Sequence, residues 1–219
     1  MRVLPCVEVE PQEPANAAVI WLHGLGADGH DFEPIVPHIR LPDGVHARFI
    51  FPHAPRIPVT INGGMTMPAW YDILEMTIER NVDESQLRAS ADQALALVKR
   101  EIERGIPAER IVLAGFSQGG AVAYEAALTA DVKLAGVMCL STYLATHASI
   151  RPSDTNKNTE FLVQHGTQDP VVPEQLGQHA RAWLQGKGYT VTYQTYPMAH
   201  QVCPPQINDI SAWLSRVLS

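Results

Sequence analysis

Residues 110–123, Arg-Ile-Val-Leu-Ala-Gly-Phe-Ser-Gln-Gly-Gly-Ala-Val-Ala, join an apolar run to a run of small residues through the pattern Gly-x-Ser-x-Gly. This order predicts a buried strand, a sharp turn and the start of a helix. Gly115, Gly119 and Gly120 leave room for the backbone to fold closely beneath Ser117, so that its hydroxyl is exposed at the edge of a sheet. A capping serine in a tight turn would explain Ser117 and one glycine, but not the strand and three glycines together. The stretch therefore predicts a nucleophilic serine.

The alternation of strand and helix continues on both sides of this unit. From Ala17 onward, short β-rich runs alternate with longer segments of helical period, which is typical of a mainly parallel sheet with crossover helices. The predicted strands are 18–22, 47–51, 110–114, 134–140, 161–164 and 190–195, with a further edge strand in 3–10. Helices are predicted after the N-cap Asp83 and at 119–128, 173–185 and 205–218. The fold class is therefore α/β, with helices on both faces of the sheet.

We interpret residues 1–219 as a single domain. The chain is 46% hydrophobic and 18% charged, which is enough apolar material for a sheet covered on both faces. It contains no internal repeat, low-complexity tract or linker-like stretch. One segment, 57–71, fits neither the strand nor the helix period and contains Pro58, Gly63, Gly64 and Pro68. We expect it to be a long structured loop.

Charge and hydropathy exclude two classes of partner. The net charge is −7 and the basic residues are spread thinly, so we expect no nucleic-acid partner. The longest clear apolar run, 134–140, is far shorter than the roughly 18 to 20 residues that span a bilayer, so we expect no membrane span. The first ten residues lack the apolar core of a signal peptide. These features predict a soluble chain.

The cysteines favour a reducing compartment. Cys6, Cys139 and Cys203 are odd in number and lack the paired spacing of a zinc or redox site. Free thiols in the cytoplasm fit them best. No His-Glu-x-x-His pattern or similar ligand cluster is present, so we expect neither a metal nor a cofactor.

A serine hydroxyl needs a histidine base, and the base needs a carboxylate to fix its tautomer. On a fold of this kind the chain order is Ser, then Asp or Glu, then His. His200 follows the predicted strand 190–195 and precedes the last helix, whereas His165 ends a strand and is expected to make a structural hydrogen bond. Asp169 lies where a buried strand runs into a turn, while Asp209 comes after His200 and breaks the order. Ser117, Asp169 and His200 are therefore the candidate triad.

The oxyanion of acyl transfer needs backbone donors. Gln118 opens the helix after Ser117, so its amide is the natural first donor. The glycine-rich run His-Gly-Leu-Gly-Ala-Asp-Gly at 23–29 follows an early strand, and the amide of Leu25 is the candidate second donor. We expect His23 to hold this loop structurally.

Several motifs together resemble one family. They are His-Gly-Leu-Gly-Ala-Asp-Gly at 23–29, Ala-Trp-Tyr-Asp-Ile at 69–73, Gly-Phe-Ser-Gln-Gly-Gly-Ala at 115–121, His-Gly-Thr-Gln-Asp-Pro-Val-Val-Pro at 165–173 and Tyr-Pro-Met-Ala-His at 196–200. In this order they resemble the acyl-protein thioesterases and bacterial carboxylesterases, which are α/β-hydrolases. Two departures are visible: Ala27-Asp28 stands where many eukaryotic members carry Asp-Thr, and Ala199 and Gln201 stand where bacterial relatives often carry Gly and Glu. The bacterial branch is the closer resemblance.

The resemblance implies an α/β-hydrolase fold without a large cap domain and a serine esterase for carboxylic esters of short to medium acyl chains. It also implies Ser117, Asp169 and His200 as the triad. An acyl-protein thioesterase or a lysophospholipase is the alternative within enzymes, so the expected substrates are small esters or thioesters, acylated protein or lysophospholipid. A non-catalytic binding protein on the same scaffold is the alternative from another class.

The loop containing Met65, Met67, Trp70 and Ile73 is the candidate wall for the acyl chain, because flexible thioethers with a large ring suit a chain of variable shape. Packing of these side chains onto the core is the alternative. If the loop binds the acyl chain, Trp70→Ala should change chain-length preference more than stability. The oligomeric state is open between a monomer and a homodimer, because exposed apolar residues in this segment would favour association.

Overall fold

The computed structural model describes residues 2–219, which form eleven strands and four α-helices. The strands are β1 Cys6–Val9, β2 Ala17–Leu22, β3 Ala47–Pro52, β4 Arg56–Val59, β5 Met65–Pro68, β6 Ile73–Glu75, β7 Asn81–Val82, β8 Ile111–Phe116, β9 Gly136–Leu140, β10 Phe161–Gly166 and β11 Val191–Tyr196. The helices are α1 Glu84–Glu103, α2 Gln118–Thr129, α3 Glu174–Gly186 and α4 Pro204–Val217.

Seven strands form the main sheet in the order β1-β3-β2-β8-β9-β10-β11. Only β1 is antiparallel to its neighbour, and every other pair is parallel. The predicted central strands are confirmed with small shifts of their ends, and the predicted edge strand is the shorter β1. Because parallel strands all end at the same edge, the loops after β2, β8, β10 and β11 meet there.

Helices cover both faces of the sheet, as predicted. Alternate residues of β2 point to opposite sides because side chains alternate along a strand. Ile20 belongs to the apolar core under α1, α2 and α3, whereas Trp21 belongs to the core under α4. The predicted cap of α1 is also confirmed, since the Asp83 carboxylate accepts a hydrogen bond from the Gln86 amide at 3.0 Å.

The segment 57–71, predicted to be a long structured loop that fits neither the strand nor the helix period, contains strand residues instead. Strands β4 and β5 pair as an antiparallel hairpin, with Arg56 opposite Pro68 and Val59 opposite Met65. Pro58 and Pro68 concealed these strands, because proline is disfavoured inside a sheet and tolerated only where a strand has a free edge. Both strands of a two-stranded hairpin have such an edge. Gly63, with φ 66°, provides the left-handed conformation of the turn.

Two short excursions lie outside the main sheet, the β4–β5 hairpin and the paired strands β6 and β7. Residues 2–219 contain no large cap domain. Within the same residues, no helix combines the length and the apolar character needed to cross a bilayer.

Candidate active site

Ser117 lies at the sharp turn between β8 and α2. Its backbone has φ 54° and ψ −119°, a conformation that a non-glycine residue seldom adopts. The glycines explain how the turn closes: a Cβ at Gly115 would lie 2.2 Å from the Gly119 carbonyl oxygen, and a Cβ at Gly119 would lie 2.4 Å from the Leu22 carbonyl oxygen. The predicted strand, turn and helix around Ser117 are therefore present, with α2 directed at the serine.

Asp169 and His200 approach each other from neighbouring loops. Asp169 follows β10 and His200 follows β11, and these strands are parallel neighbours. The distance from His200 Nδ1 to Asp169 Oδ2 is 2.7 Å. The Asp169 side chain is fully buried, whereas 17% of the His200 side chain is exposed. The imidazole thus presents its Nε2 edge outward while a buried carboxylate holds Nδ1.

Asp169 is held in its charged form. Its Oδ1 accepts hydrogen bonds from the amides of Val171 and Val172, both at 2.9 Å. Burial would raise the pKa of this carboxyl group, but the hydrogen bonds from His200 and the two amides outweigh it, so the pKa of Asp169 lies below its ordinary value. A carboxylate that stays ionised can fix the tautomer of His200.

Ser117 and His200 line one cavity of about 260 Å³. Its apolar wall is formed by side chains from several loops, namely Leu25, Ile61, Ile73, Met76, Phe116, Val171 and Val172. Its polar lining includes Asp31, Arg80, Gln118 and Tyr143. The arrangement joins a small polar centre to a larger apolar surface, which suits a substrate with a reactive carbonyl and an apolar chain.

The two candidate oxyanion donors face the same cavity. Leu25 and Gln118 both line it, and within residues 2–219 neither of their amides donates a hydrogen bond to another protein group. The Leu25 loop is fixed by a hydrogen bond of 2.8 Å from the Gly26 amide to the Pro68 carbonyl. Free backbone amides beside a serine at a helix N-terminus can stabilise a developing oxyanion.

Of the residues proposed for the acyl wall, only Ile73 lines the cavity. Met65 is 65% exposed and Met67 is partly buried, and both lie on the β4–β5 hairpin. Trp70 is 2% exposed and lies in the core, where its indole nitrogen donates to the His23 carbonyl at 2.8 Å. Burial of Trp70 therefore separates it from the cavity surface.

His23 and His165 both have structural hydrogen bonds. Nε2 of His23 accepts from the Ala54 amide at 3.1 Å, so its Nδ1 carries the proton and donates to the Gly24 carbonyl at 2.7 Å. Nε2 of His165 donates to the Val172 carbonyl at 2.7 Å. Burial lowers the pKa of both histidines, which favours the neutral ring.

Sequence reasoning missed the contribution of residues 73–82 beyond Ile73. Met76 and Arg80 come from this segment and line the cavity. The segment forms only the short strands β6 and β7, so no periodicity marked it. No local pattern distinguishes Arg80, which stands between Glu79 and Asn81 in a largely polar stretch.

Among residues 2–219, no group of three or more His, Cys, Asp or Glu side chains is placed to hold a metal ion.

Comparison with known proteins places this geometry in a family. Residues 5–218 match the Phospholipase/Carboxylesterase family. The chain is 42% identical over 214 residues to acyl-protein thioesterase 1 of Neurospora crassa, a match that covers 93% of this chain and 87% of the relative. It is 38% identical to acyl-protein thioesterase 1 of Gibberella zeae, with 93% and 91% covered.

A solved structure agrees with these relatives. The crystal structure of Zea mays acyl-protein thioesterase 2 superimposes with a TM-score of 0.84 at 25% identity, covering 99% of this chain and 100% of that one. The chain belongs to the Phospholipase/Carboxylesterase family and is a serine hydrolase of the α/β-hydrolase fold.

Proposed function

We propose that the protein hydrolyses acyl thioesters and carboxylic esters through an acyl-enzyme on Ser117, with His200 as general base and Asp169 as its orienting acid. The observation that carries this proposal is the 2.7 Å contact between His200 Nδ1 and Asp169 Oδ2 at a cavity that Ser117 also lines. A buried carboxylate, an imidazole with one exposed edge and a serine on a strained turn are the parts that acyl transfer requires.

In the proposed cycle, His200 takes the proton of Ser117 as the serine oxygen attacks the acyl carbonyl. The amides of Leu25 and Gln118 receive the oxyanion, and loss of one such donor typically removes about 3 to 4 kcal/mol of transition-state stabilisation. His200 then protonates the leaving thiol or alcohol. Water, deprotonated by His200, attacks the acyl-enzyme and releases the acid. Asp169 stabilises the imidazolium in both halves, and the cycle needs no cofactor.

The acyl group is proposed to lie against the apolar wall of the cavity. Ile73 and Met76 form part of this wall, and Leu25 adds its side chain while its amide faces the oxyanion. The relatives named acyl-protein thioesterase support a thioester as one substrate, including an acylated protein. Simple esters of short to medium acyl chains are proposed as a second substrate class, and lysophospholipid as the alternative to be tested.

The catalytic assignment is tested by labelling with a fluorophosphonate and locating the adduct by mass spectrometry. We expect an adduct on Ser117 in the parent and none in Ser117→Ala. Ser149→Ala is the control, because Ser149 is exposed and does not line the cavity. A folded parent protein that carries no adduct on Ser117 would refute the assignment.

The substrate class is tested with matched ester and thioester pairs of the same acyl chain, beside an S-acylated peptide and a lysophosphatidylcholine. We expect turnover of both ester and thioester pairs, abolished in Ser117→Ala. Turnover of lysophosphatidylcholine alone would replace the proposed substrates with lysophospholipid.

A further inference from the structure

Arg80 is a buried cation at the edge of the cavity. Only 8% of the residue is exposed, and its guanidinium has no carboxylate within ion-pair distance among residues 2–219. With Ser117 and Ser141, it is one of three non-glycine residues in the described chain with positive φ, at 53°. Its amide donates to the Thr77 carbonyl at 3.0 Å, which closes a turn. A strained turn that buries an unpaired charge calls for a functional explanation.

The guanidinium is held by backbone oxygens. Nη1 donates to the Thr77 carbonyl at 2.9 Å and Nη2 donates to the Val171 carbonyl. The cation also lies 5.8 Å from the centre of the Tyr143 ring. Since Arg80 and Val171 are 91 residues apart in sequence, the contact joins the β6–β7 segment to the loop that carries Asp169.

The Val171 carbonyl belongs to the same peptide group as the Val172 amide. That amide donates to Asp169 Oδ1 at 2.9 Å. A cation on the carbonyl oxygen withdraws electrons from the peptide and makes its N–H a stronger donor, because hydrogen bonds in a chain polarise one another. A continuous path therefore runs from Arg80 through one peptide group to Asp169, and from Asp169 to Nδ1 of His200.

We propose that Arg80 is a positioning residue of the triad, acting through the peptide group between Val171 and Val172 to hold Asp169 charged and oriented toward His200. This inference rests on the proposed function of Ser117, Asp169 and His200. Arg80 itself touches neither the reacting carbonyl nor the serine in this role.

Other titratable and charged groups also lie near Asp169 and Arg80. His165 donates to the Val172 carbonyl, and its Nε2 lies 3.8 Å from Asp169 Oδ2. Tyr143, beside Arg80, bonds to the Tyr71 hydroxyl at 2.6 Å, and burial raises the pKa of both phenols, so they stay neutral near pH 7. Glu174 begins α3 next to this loop and contributes to the field at His165. These groups are present in both the parent and the Arg80 variants, so a difference in kcat or in the pH profile reports on Arg80.

The test compares Arg80→Gln with Arg56→Gln. Arg56 is a matched control because its guanidinium also donates to a backbone carbonyl, that of Thr66, on the exposed β4–β5 hairpin. With a neutral short-chain ester we expect Arg80→Gln to lower kcat about tenfold, the size of one weakened charge-assisted hydrogen bond, with KM unchanged. We expect no change in Arg56→Gln.

The pH profile separates this role from a merely structural one. Without Arg80 the Asp169 carboxylate is less well stabilised by its amides and attracts the His200 proton more strongly. The acidic limb of kcat/KM should therefore move to higher pH by about half a unit. Arg80→Lys keeps the charge and one donor, so its kcat and the pH of its acidic limb should lie between those of the parent and of Arg80→Gln. If Arg80→Gln does not fold, Arg80→Lys is compared directly with the parent.

A double-mutant cycle supplies the second criterion. In an Asp169→Asn background, Arg80→Gln should lower kcat no further, because the path then has no carboxylate to act on. An equal loss in both backgrounds, or an unchanged kcat and pH limb in Arg80→Gln, overturns the inference. A rise of KM confined to anionic substrates also overturns it and assigns Arg80 to substrate binding. Absence of the Ser117 adduct in the parent would instead contradict the proposed function, so the two failures are distinguishable.

Discussion

The side-chain oxygen of Gln118 accepts a hydrogen bond of 2.7 Å from the backbone amide of Trp70. The amide nitrogen of the same side chain donates to the Tyr71 carbonyl, also at 2.7 Å. Gln118 is 2% exposed, so both backbone groups are removed from water. One residue thus provides a proposed oxyanion donor through its backbone and ties the segment leading into β6 to the start of α2 through its side chain.

Gln118→Ala should lower the free energy of unfolding by about 3 kcal/mol. The substitution leaves the buried Trp70 amide and Tyr71 carbonyl without partners, and each unpaired group costs roughly 1 to 3 kcal/mol. Urea unfolding followed by circular dichroism measures the change. Gln86→Ala is the control, because Gln86 also accepts from a backbone amide, that of Asp72 at 2.7 Å, but is exposed. We expect less than about 1 kcal/mol there, and equal losses in the two variants would contradict the prediction.

Trp70→Ala should act on stability rather than on acyl-chain preference. The indole is buried, its ring lies at a tilt with its centroid 5.1 Å from that of the His23 ring, and its nitrogen donates to the His23 carbonyl. Removing such a side chain costs about 3 to 5 kcal/mol. Thermal unfolding measures the loss against Trp183→Ala, whose ring is partly exposed on α3. A changed ratio of long-chain to short-chain kcat/KM at unchanged stability would restore Trp70 to the acyl wall.

Met76→Ala should weaken discrimination in favour of longer acyl chains. Met76 lines the cavity although it is 50% exposed, so its removal leaves the core intact. Loss of the thioether contact should lower kcat/KM for an octanoyl ester about fivefold, equivalent to about 1 kcal/mol, and leave an acetyl ester unchanged. The octanoyl to acetyl ratio is the readout because it cancels differences in active protein.

Met65→Ala is the matched control for Met76. Met65 is 65% exposed and does not line the cavity, so its ratio should equal that of the parent. A ratio that falls in Met65→Ala but not in Met76→Ala would move the acyl wall to the β4–β5 hairpin.

Stability should fall as the pH drops from 7.5 to 5.5, in part because of His165. The ring is fully buried, its Nδ1 has no hydrogen-bond partner among residues 2–219, and burial lowers its pKa below the ordinary value of about 6.5. Below about pH 6.5 the His165 ring takes up a proton in the unfolded chain but resists protonation in the folded protein. The contribution of this ring to stability is therefore fully present above about pH 6.5 and is lost as the pH falls. Asp169 contributes only below about pH 4.

His165→Gln tests this origin, because the glutamine amide can still donate to the Val172 carbonyl but does not titrate. The decrease of Tm between pH 7.5 and 5.5 should be smaller in His165→Gln than in the parent. The remaining decrease is assigned to His23, which is also buried with a lowered pKa. His179→Gln, exposed on α3, should keep the parent slope. Parallel slopes in parent and His165→Gln would falsify the assignment.

Much of the fold was predictable because it depends on local patterns. The apolar run before Ser117 and the small residues after it predicted β8 and α2, and Asp83 with Gln86 predicted the start of α1. The β4–β5 hairpin was missed because its two prolines argued against strands. A strand with a free edge tolerates proline. Local sequence does not report whether a strand will have a free edge.

The sequence by itself determined the serine turn and the order of Ser117, Asp169 and His200, since glycine spacing and strand ends fix where each residue enters the sheet edge. Only the tertiary structure decided that Trp70 lies in the core, that the Gln118 side chain holds it there, and that Arg80 contacts the loop of Asp169. These contacts join residues 48 and 91 positions apart. Breaking them is costly because the buried polar groups would be left with neither water nor a protein partner, and no local pattern encodes that burial.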